Sequence, residues 1–484
     1  MTSGRHVPPK DLRSYLADLA REHPADLVTI SRPVSSDHER SAVVKALEPL
    51  GCPAVLFAHV DGRAQRVVMG LFGTRSRIAD ALGVGVDECV QHLVDTDLTR
   101  QTPEVMTGAA PVHTHLATGG QVNLADLPVG IHSRDDAGRY ITSGVLLVRD
   151  PVTGKLNAGI YRLAVTGCNT MTVNGGPGHD LGRIIRSAPT GAQIPFALVI
   201  GHHPAISVAS QLKHSTDIDA YRAMSSLLNE PLRLAPAVTV DLLVPGDAEY
   251  ILEGTIDTGK WVEEGPFGEF TYYAGNAVAP VATVSAVTCR DDPIFLDLHP
   301  THNEHRALWL FPGREARLLT AVRARVPGTR AVAIPSEGAG LLARISITKR
   351  HPADARTAII AALNSDDTLK QVIVVDDDID VHDSGQVEWA LGVRFQAGND
   401  LVVIPQLRGI RMDPSATRPA GAAPGQVVSD KIGVDATAPV ADFPGRADLV
   451  GEEFTALDLF GYLDGGELRA RLDRHRALDR SRRI

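Results

Sequence analysis

Apolar residues recur at helical spacing in Leu12, Tyr15, Leu16 and Leu19, and the run stops at Pro24, which predicts a short amphipathic helix near the start of the chain. Strand-like runs follow at Leu27–Ile30, Ala54–Phe57 and Arg66–Phe72. With a helical pattern over Ser76–Leu82 they predict a small α/β region ending near residue 105. From about 140 to 300 the texture changes to short β runs such as ITSGVLLVRD, FALVIGHH, AVTVDLLVP and APVATVSAVTC, broken by Gly and Pro, as in a barrel or sandwich. A helix-compatible run at Arg314–Arg325 follows Pro312-Gly313 and links this region to the next. There, strand-like LLARISIT, helical PADARTAIIAALNS, strand-like QVIVVDDDID and a helix opening near Ser384 alternate as in a second α/β domain. The last stretch, ELRARLDRHRALDRSRRI, is a basic amphipathic helix, expected to be a solvated terminus or dimer arm. The expected fold class is α/β (α+β): an α/β region over 1–105, a β-rich domain over 106–302, a linker helix over 303–326, an α/β domain over 327–440 and a tail over 441–484.

Length and charge narrow the reading. A chain of 484 residues exceeds what one core sustains, since single cores stop growing at about 250–300 residues. Its 44 % hydrophobic and 22 % charged residues are those of a globular protein, and a net charge of −10 argues against a general nucleic-acid binder, which needs surplus Lys and Arg. Four cysteines without CxxC spacing suggest neither a zinc knuckle nor a disulfide framework. MTSGRHVPPKD lacks the apolar core of a signal peptide, and no stretch approaches about 18 uninterrupted apolar residues. A cytoplasmic protein without membrane partners is expected.

Four segments carry candidate chemistry. In EGPFGE (264–269), Pro266 and two glycines force a turn that can bring Glu264 and Glu269 to one pocket. That is either an acid/base pair or a turn with two solvated carboxylates. In NAGIYR (157–162), positions five apart on a strand face opposite sides, so Asn157 and Arg162 would serve neighbouring sites, Arg162 as a bidentate carboxylate grip. A surface arginine and a turn asparagine are the plainer alternative. VNGGPGH (173–179) is a Gly-rich turn whose amides can approach a phosphate, and its His179 with an Asn carbonyl suits Mn²⁺ or Mg²⁺, unless it is an ordinary polar residue. Lys431, in SDKIGVDAT (429–437), is a phosphate anchor or a common exposed lysine.

In order along the chain, these segments resemble the UbiD family of prenylated-flavin-dependent decarboxylases, which includes the cinnamate (ferulic acid) decarboxylases. The resemblance covers about 110–440 and rests on N-x-x-x-x-R at 157–162, His179 before L-G-R-I, V-P-x-x-A-E-x-x-L-E-G at 244–254, E-G-P-F-G-E at 264–269, D-D-D-I-D at 376–380 and K-I-G-V-D-A-T at 431–437. It implies that 106–302 is a split-barrel domain binding prenylated FMN. By the same resemblance, Asn157 and His179 are ligands of a divalent metal, usually manganese, with magnesium as the alternative and potassium as an accessory ion. Lys431 would contact the flavin phosphate, and Thr142, Asn157 and Ser210 would lie at the cofactor. Arg162, Glu264 and Glu269 would form the catalytic network, with Glu269 exchanging the proton. The chain departs from the family pattern at its third metal ligand, where the expected glutamate position is Ala220; Asp219 is the nearest substitute and Asp217 the next.

The implied reaction is reversible, non-oxidative decarboxylation of an α,β-unsaturated acid to a terminal alkene through a covalent prenylated-flavin adduct, the flavin taking up electrons that a vinylic carbanion holds poorly. A heteroaromatic acid is the alternative substrate, and a non-catalytic flavin-binding homologue the alternative function. The resemblance also implies a flavin prenyltransferase as supplier of the cofactor and a homodimer or larger assembly. An Arg/Ala/Gly/Val-rich composition adds an association with secondary metabolism, as in the tautomycetin polyketide pathway.

Overall fold

The computed structural model describes residues 9–176, 178–212, 218–274, 277–422, 426–439, 464, 466, 467 and 469–471. The chain forms two compact units: one comprises residues up to Ala46 together with Pro53–Ala316, the other Leu47–Cys52 and the residues from Arg317 onward.

In the first unit the opening helix is Leu12–Glu22, begun by a capping box between Asp11 and Ser14 and buried on Leu12, Tyr15, Leu16 and Leu19, as its spacing predicts. The short strands Leu27–Ile30, Ala54–Phe57 and Arg66–Met69 also form. They make a four-stranded sheet with Ile294–Leu296, from the far end of the middle region, so residues on both sides of 105 share one packing unit.

The middle region is a curled half-barrel sheet of nine strands among the described residues. Its order is Tyr140–Ile141, Leu163–Val165, Thr170–Val173, Ala277–Cys289, Tyr250–Glu264, Gln193–Ile200, Val145–Arg149 and Leu156–Ile160, with His115–Thr118 pairing against Ala277–Cys289. All its pairings are antiparallel. Val145–Val148 is buried at every position, the mark of a strand covered on both faces.

Tyr250–Glu264, the longest strand, is broken by register shifts at Glu253/Gly254 and Asp257/Trp261, which bend it along its partner. Gly254 lies so close to the Thr283 carbonyl that a Cβ would clash with it. The polar interior of YILEGTIDTGKWVEE hides this strand from a search for apolar runs. AVTVDLLVP goes the other way: only Leu243–Pro245 is a strand, because Leu242 N turns back onto Val240 O just before it.

The span 303–326, expected to be one helix, holds two, Asn303–Leu310 and Gly313–Arg323, parted at Phe311-Pro312. In the second unit Thr329–Ala333, Leu342–Ile347, Gln371–Asp376, Val428–Ala436 and Leu401–Arg408 form a mixed five-stranded sheet in that order. Its core includes Ala333, Val375, Ile379, Val387 and Ala436. Helices Asp354–Ser365 and Ser384–Val393 agree with the sequence pattern. Of the basic terminal helix, only Glu467 and 469–471 are described and helical; the rest of the tail lies outside the described residues. No helix among the described residues is long and apolar enough to cross a membrane.

Candidate active site

Arg162 does not lie on the strand that holds Asn157. That strand ends at Ile160, and Tyr161-Arg162 connects it to Leu163–Val165, near the opposite end of the sheet order. Two residues reach on the order of 10 Å, so the curled sheet nearly closes on itself there, and Arg162 stands at the seam. The alternation rule fails for Asn157 and Arg162 because it needs an unbroken strand.

At the seam Arg162 grips both glutamates. Its Nε and Nη2 donate to Glu264 Oε1 and Oε2 at 3.1 and 2.8 Å, and Nη1 donates to Glu269 Oε1 at 2.9 Å. Asn174 Nδ2 donates to Glu264 Oε2 at 2.7 Å, and Asn174 N donates to the Arg162 carbonyl at 3.1 Å. Glu264 is thus saturated and its side chain 1 % exposed, whereas Glu269 uses one oxygen and is 17 % exposed. Burial disfavours the Arg162 charge, but its hydrogen bonds to Glu264 and the charges of both glutamates outweigh this and hold its pKa above the ordinary arginine value.

The turn that presents the glutamates has local causes. Glu264 ends the long strand; Gly265 takes φ +105°, a region glycine enters without strain, and Phe267-Gly268 pairs with Tyr273-Ala274 in a small hairpin. Glu269 N donates to Tyr272 O at 3.0 Å, closing it. The loop before Tyr140 braces the turn: Asp136 Oδ1 accepts from Gly268 N at 2.7 Å, Ala137 N donates to Pro266 O at 2.8 Å, and the Ser133 side chain fills the space where a Cβ on Gly268 would stand. Phe267 lies under the Arg162 guanidinium, 4.8 Å from ring centroid to Cζ, and against Tyr140, with centroids 4.4 Å apart. Tyr140 is buried beside Glu264; burial, then the nearby Glu264 charge, push its pKa up.

Asn174, Phe267 and Tyr140 escaped the sequence reading. Asn174 and Phe267 stand inside the quoted segments, but nothing local marks an asparagine after a strand as the holder of a carboxylate 90 positions away.

The other candidates are placed as follows. Asn157 Nδ2 donates to Tyr161 Oη at 3.3 Å, and the exposed His179, N-cap of helix Asp180–Ser187, lies 5.8 Å from the Tyr161 ring between centroids. Asn157 and His179 therefore flank one tyrosine, which folds back over Gly159. Asp219 is exposed and caps helix Ala220–Leu228, Oδ1 accepting from Tyr221 N at 2.9 Å and Arg222 N at 3.3 Å; no hydrogen bond joins it to Asn157 or His179 among the described residues, and Asp217 lies outside them. Ser210 Oγ donates to Ser207 O at 2.7 Å, in a helix packed on the Asn157 strand. Thr142 Oγ1 donates to the buried Asp297 at 2.9 Å. In the second unit Lys431 is 1 % exposed; its Nζ donates to Asp367 O at 3.0 Å, and burial lowers its pKa.

Profiles of 3-octaprenyl-4-hydroxybenzoate carboxy-lyase match the chain in three parts: the N-terminal domain at residues 19–96, the Rift-related domain at 104–302 and the C-terminal domain at 310–436. The chain belongs to the UbiD family. It is a UbiD-type carboxy-lyase, similar at 33 % identity over 427 residues to the anhydromevalonate phosphate decarboxylase of Methanothermobacter thermautotrophicus (88 % of this chain, 91 % of the relative). It is likewise 31 % identical over 459 residues to the phenolic acid decarboxylase of Bacillus subtilis (89 % and 93 %). The UbiD-class enzyme HmfF from Pelotomaculum thermopropionicum, solved with FMN, superposes with a TM-score of 0.86 at 36 % identity, covering 94 % of this chain and 100 % of that one. Its evolved dimeric form, solved with prFMN, gives 0.82 at 34 %, with the same coverage.

The residues fit a phosphate-bearing flavin at Lys431. Lys431 is a buried ammonium with no carboxylate at ion-pair distance among the described residues, an arrangement that an anion would complete. They do not compose a full shell for a divalent metal: no group of three or more His, Cys, Asp or Glu converges among the described residues.

Proposed function

We propose that this UbiD-type decarboxylase acts on an α,β-unsaturated carboxylic acid, with Arg162, Glu264 and Glu269 as its catalytic network and prenylated FMN as its cofactor. The observation that carries this reading is the bidentate Arg162–Glu264 pair, with Glu269 on the third guanidinium nitrogen and one oxygen open. When bound, prenylated FMN supplies a sink for the electron pair left on carbon as CO₂ departs. Arg162 orients the substrate carboxylate through the guanidinium edge it shares with Glu269, while Glu264 and Asn174 hold that guanidinium in place. Glu269, whose Oε2 is not used by Arg162, delivers a proton to the former α-carbon and retrieves it in the reverse direction. Phe267 and Tyr140 keep water from the seam, which favours loss of charge from the departing carboxylate.

Asn157 and His179 are proposed to hold the metal at the flavin phosphate, with Lys431 as a phosphate contact and Thr142 and Ser210 at the cofactor. An enoic or dienoic acid is the preferred class because, in the family, the E-G-P-F-G-E motif ending in Glu269 accompanies α,β-unsaturated acids, as well as some heteroaromatic acids. The relatives' names, which span phenolic acids and an anhydromevalonate phosphate, keep aromatic and heteroaromatic acids as the second reading. A role in secondary metabolism, a homodimer and a flavin prenyltransferase partner belong to the same proposal.

The test is CO₂ release from a panel of enoic and aromatic acids by protein co-produced with a flavin prenyltransferase. Glu269→Gln is expected to cut release by about 10²–10⁴-fold while the flavin stays bound. Full turnover by Glu269→Gln overturns the assigned proton carrier, and bound flavin without exchange of the vinyl proton in D₂O marks a non-catalytic homologue.

A further inference from the structure

Three consecutive residues of the loop before Tyr140 clasp the hairpin that carries Glu269. Asp135 N donates to the Tyr273 hydroxyl at 3.2 Å, Asp136 Oδ1 accepts from Gly268 N at 2.7 Å, and Ala137 N donates to Pro266 O at 2.8 Å. The middle contact differs in kind from the other two. Asp136 Oδ2 accepts from Ser133 N at 2.8 Å and His132 N at 3.2 Å, so one carboxylate spends both oxygens on main-chain amides, one oxygen in its own loop and the other in the catalytic turn. It staples two stretches of backbone together, and bonds to a carboxylate are roughly twice as strong as those between neutral groups.

The loop end of this staple is anchored on both sides. His132 Nε2 lies 3.0 Å from both oxygens of Asp297, which is ion-paired at 2.7 Å to Arg40, and all three side chains are fully buried. At the other end of the loop Arg139 donates to Val129 O at 2.5 Å and pairs with Asp37 at 2.9 Å. The turn end depends on the staple. Gly268 has no side chain to hold its place, and the Ser133 side chain occupies the space where one would stand. Glu269 is tied through its N to Tyr272 O at 3.0 Å and through Oε1 to Arg162 at 2.9 Å. The peptide unit from which the Glu269 side chain springs is thus fixed at its first residue by Asp136 and at its second by Tyr272.

We propose that Asp136 is a positioning residue for Glu269: by pinning the Gly268 amide to an anchored loop, it sets where the Glu269 carboxylate stands relative to the reacting carbon. Its hydrogen bonds go to Gly268, Ser133 and His132 and not to Arg162, Glu264 or Glu269, so its effect passes through the backbone. Displacing a reacting group by about 1 Å costs on the order of 10²-fold in rate even when the altered residue is remote from the chemistry. The inference rests on Glu269 as the proton carrier proposed above and adds what holds that carrier in place.

The test is a double-mutant cycle on the full chain co-produced with a flavin prenyltransferase, read as CO₂ release per bound flavin from whichever acid of the panel the parent turns over fastest. Asp136→Ala is expected to lower kcat by on the order of 10–10²-fold with KM within about twofold of the parent. Asp136→Asn, which keeps one oxygen acceptor, is expected to fall between the two, and it carries the test if Asp136→Ala folds poorly. In the Glu269→Gln background the same Asp136 substitution is expected to change turnover by less than about threefold, because no proton carrier is left to displace. A merely structural role costs the same factor in both backgrounds. Amide exchange in the FMN-loaded protein checks the cause: residues 266–270 should exchange roughly tenfold faster in the Asp136 variant, as fits loss of a bond to a charged acceptor. Equal losses of turnover in the two backgrounds, parent-like kcat in both Asp136 variants, or unchanged exchange over 266–270 overturns the proposal. Full turnover by Glu269→Gln alone, a separate arm of the cycle, overturns the reading of Glu269 instead.

Discussion

Two arginines in this chain each bridge a pair of carboxylates beside an aromatic ring, one in each unit. Arg162 joins Glu264 and Glu269 over Phe267; Arg394 joins Asp378, at 2.9 and 2.6 Å, and Asp376, at 2.9 Å, beside Trp389. In the second cluster the carboxylates are two residues apart at the end of one strand. Asp378 is 43 % exposed and spends both oxygens on the arginine, and Asp376 also accepts from Ala438 N, so the group fastens one strand end to its neighbour. At the seam the dry carboxylate, Glu264, is the saturated one, and its partner keeps an oxygen open. The motif of one arginine and two carboxylates is therefore no sign of chemistry by itself. What differs is whether an acid with an unspent oxygen stands beside a buried, saturated one on the same arginine.

The largest effect that would sharpen this contrast is on turnover. Glu269→Gln keeps the size and one hydrogen bond of the side chain and removes the proposed proton carrier, so CO₂ release should fall by about 10²–10⁴-fold, the usual worth of a general acid or base, with little change in melting temperature. Arg162→Ala leaves Glu264 buried without its cation and should cost about 3–5 kcal/mol of stability in chemical denaturation. Arg394→Ala, whose partners reach solvent, should cost about 1 kcal/mol and leave turnover close to that of the parent protein. Equal losses from the two arginine variants would break the comparison. Asn174→Ala withdraws one donor from a buried carboxylate; a stability loss of about 1.5–3 kcal/mol is expected, with a smaller loss of turnover than for Glu269→Gln.

Another buried carboxylate extends the comparison to a site where no arginine ion pair is found among the described residues. Glu304 accepts from His299 N at 2.8 Å; its pKa is pushed up to about 8, chiefly by burial. The folded state then binds the proton more tightly than the unfolded chain, so this group's stabilisation is present at acid pH and is lost as pH rises towards about 8. Its neighbour His299, lowered to about 3 by burial, acts oppositely and only below the ordinary histidine range. Between pH 6.5 and 8 the parent protein should lose melting temperature, and Glu304→Gln should flatten that slope.

Much of the local architecture was legible because it is written in local physics. The opening helix, the first three strands, the buried run Val145–Val148 and the alternation of the second unit follow from periodicity and caps within a few residues. The chemical residues were legible as an ordered set of motifs, which placed Arg162, Glu264 and Glu269 together before any distance was known. Spacing misled where it assumed an unbroken strand, as for Asn157 and Arg162, or an unbroken helix, as over 303–326. It missed Tyr250–Glu264, whose charged and glycine-rich interior is tolerated only because bulges and close neighbours compensate for it.

By itself, then, the amino-acid order determined which side chains are available and which short segments turn, since those depend on neighbours along the chain. Tertiary structure decided that a two-residue link closes the curled sheet and sets Arg162 at its seam. It also decided that Asn174 reaches Glu264, and that one of two similar glutamates is saturated while the other keeps an oxygen open. These are long-range contacts between segments about 100 residues apart, and they come from how a bent sheet closes rather than from any pattern a window of sequence can hold.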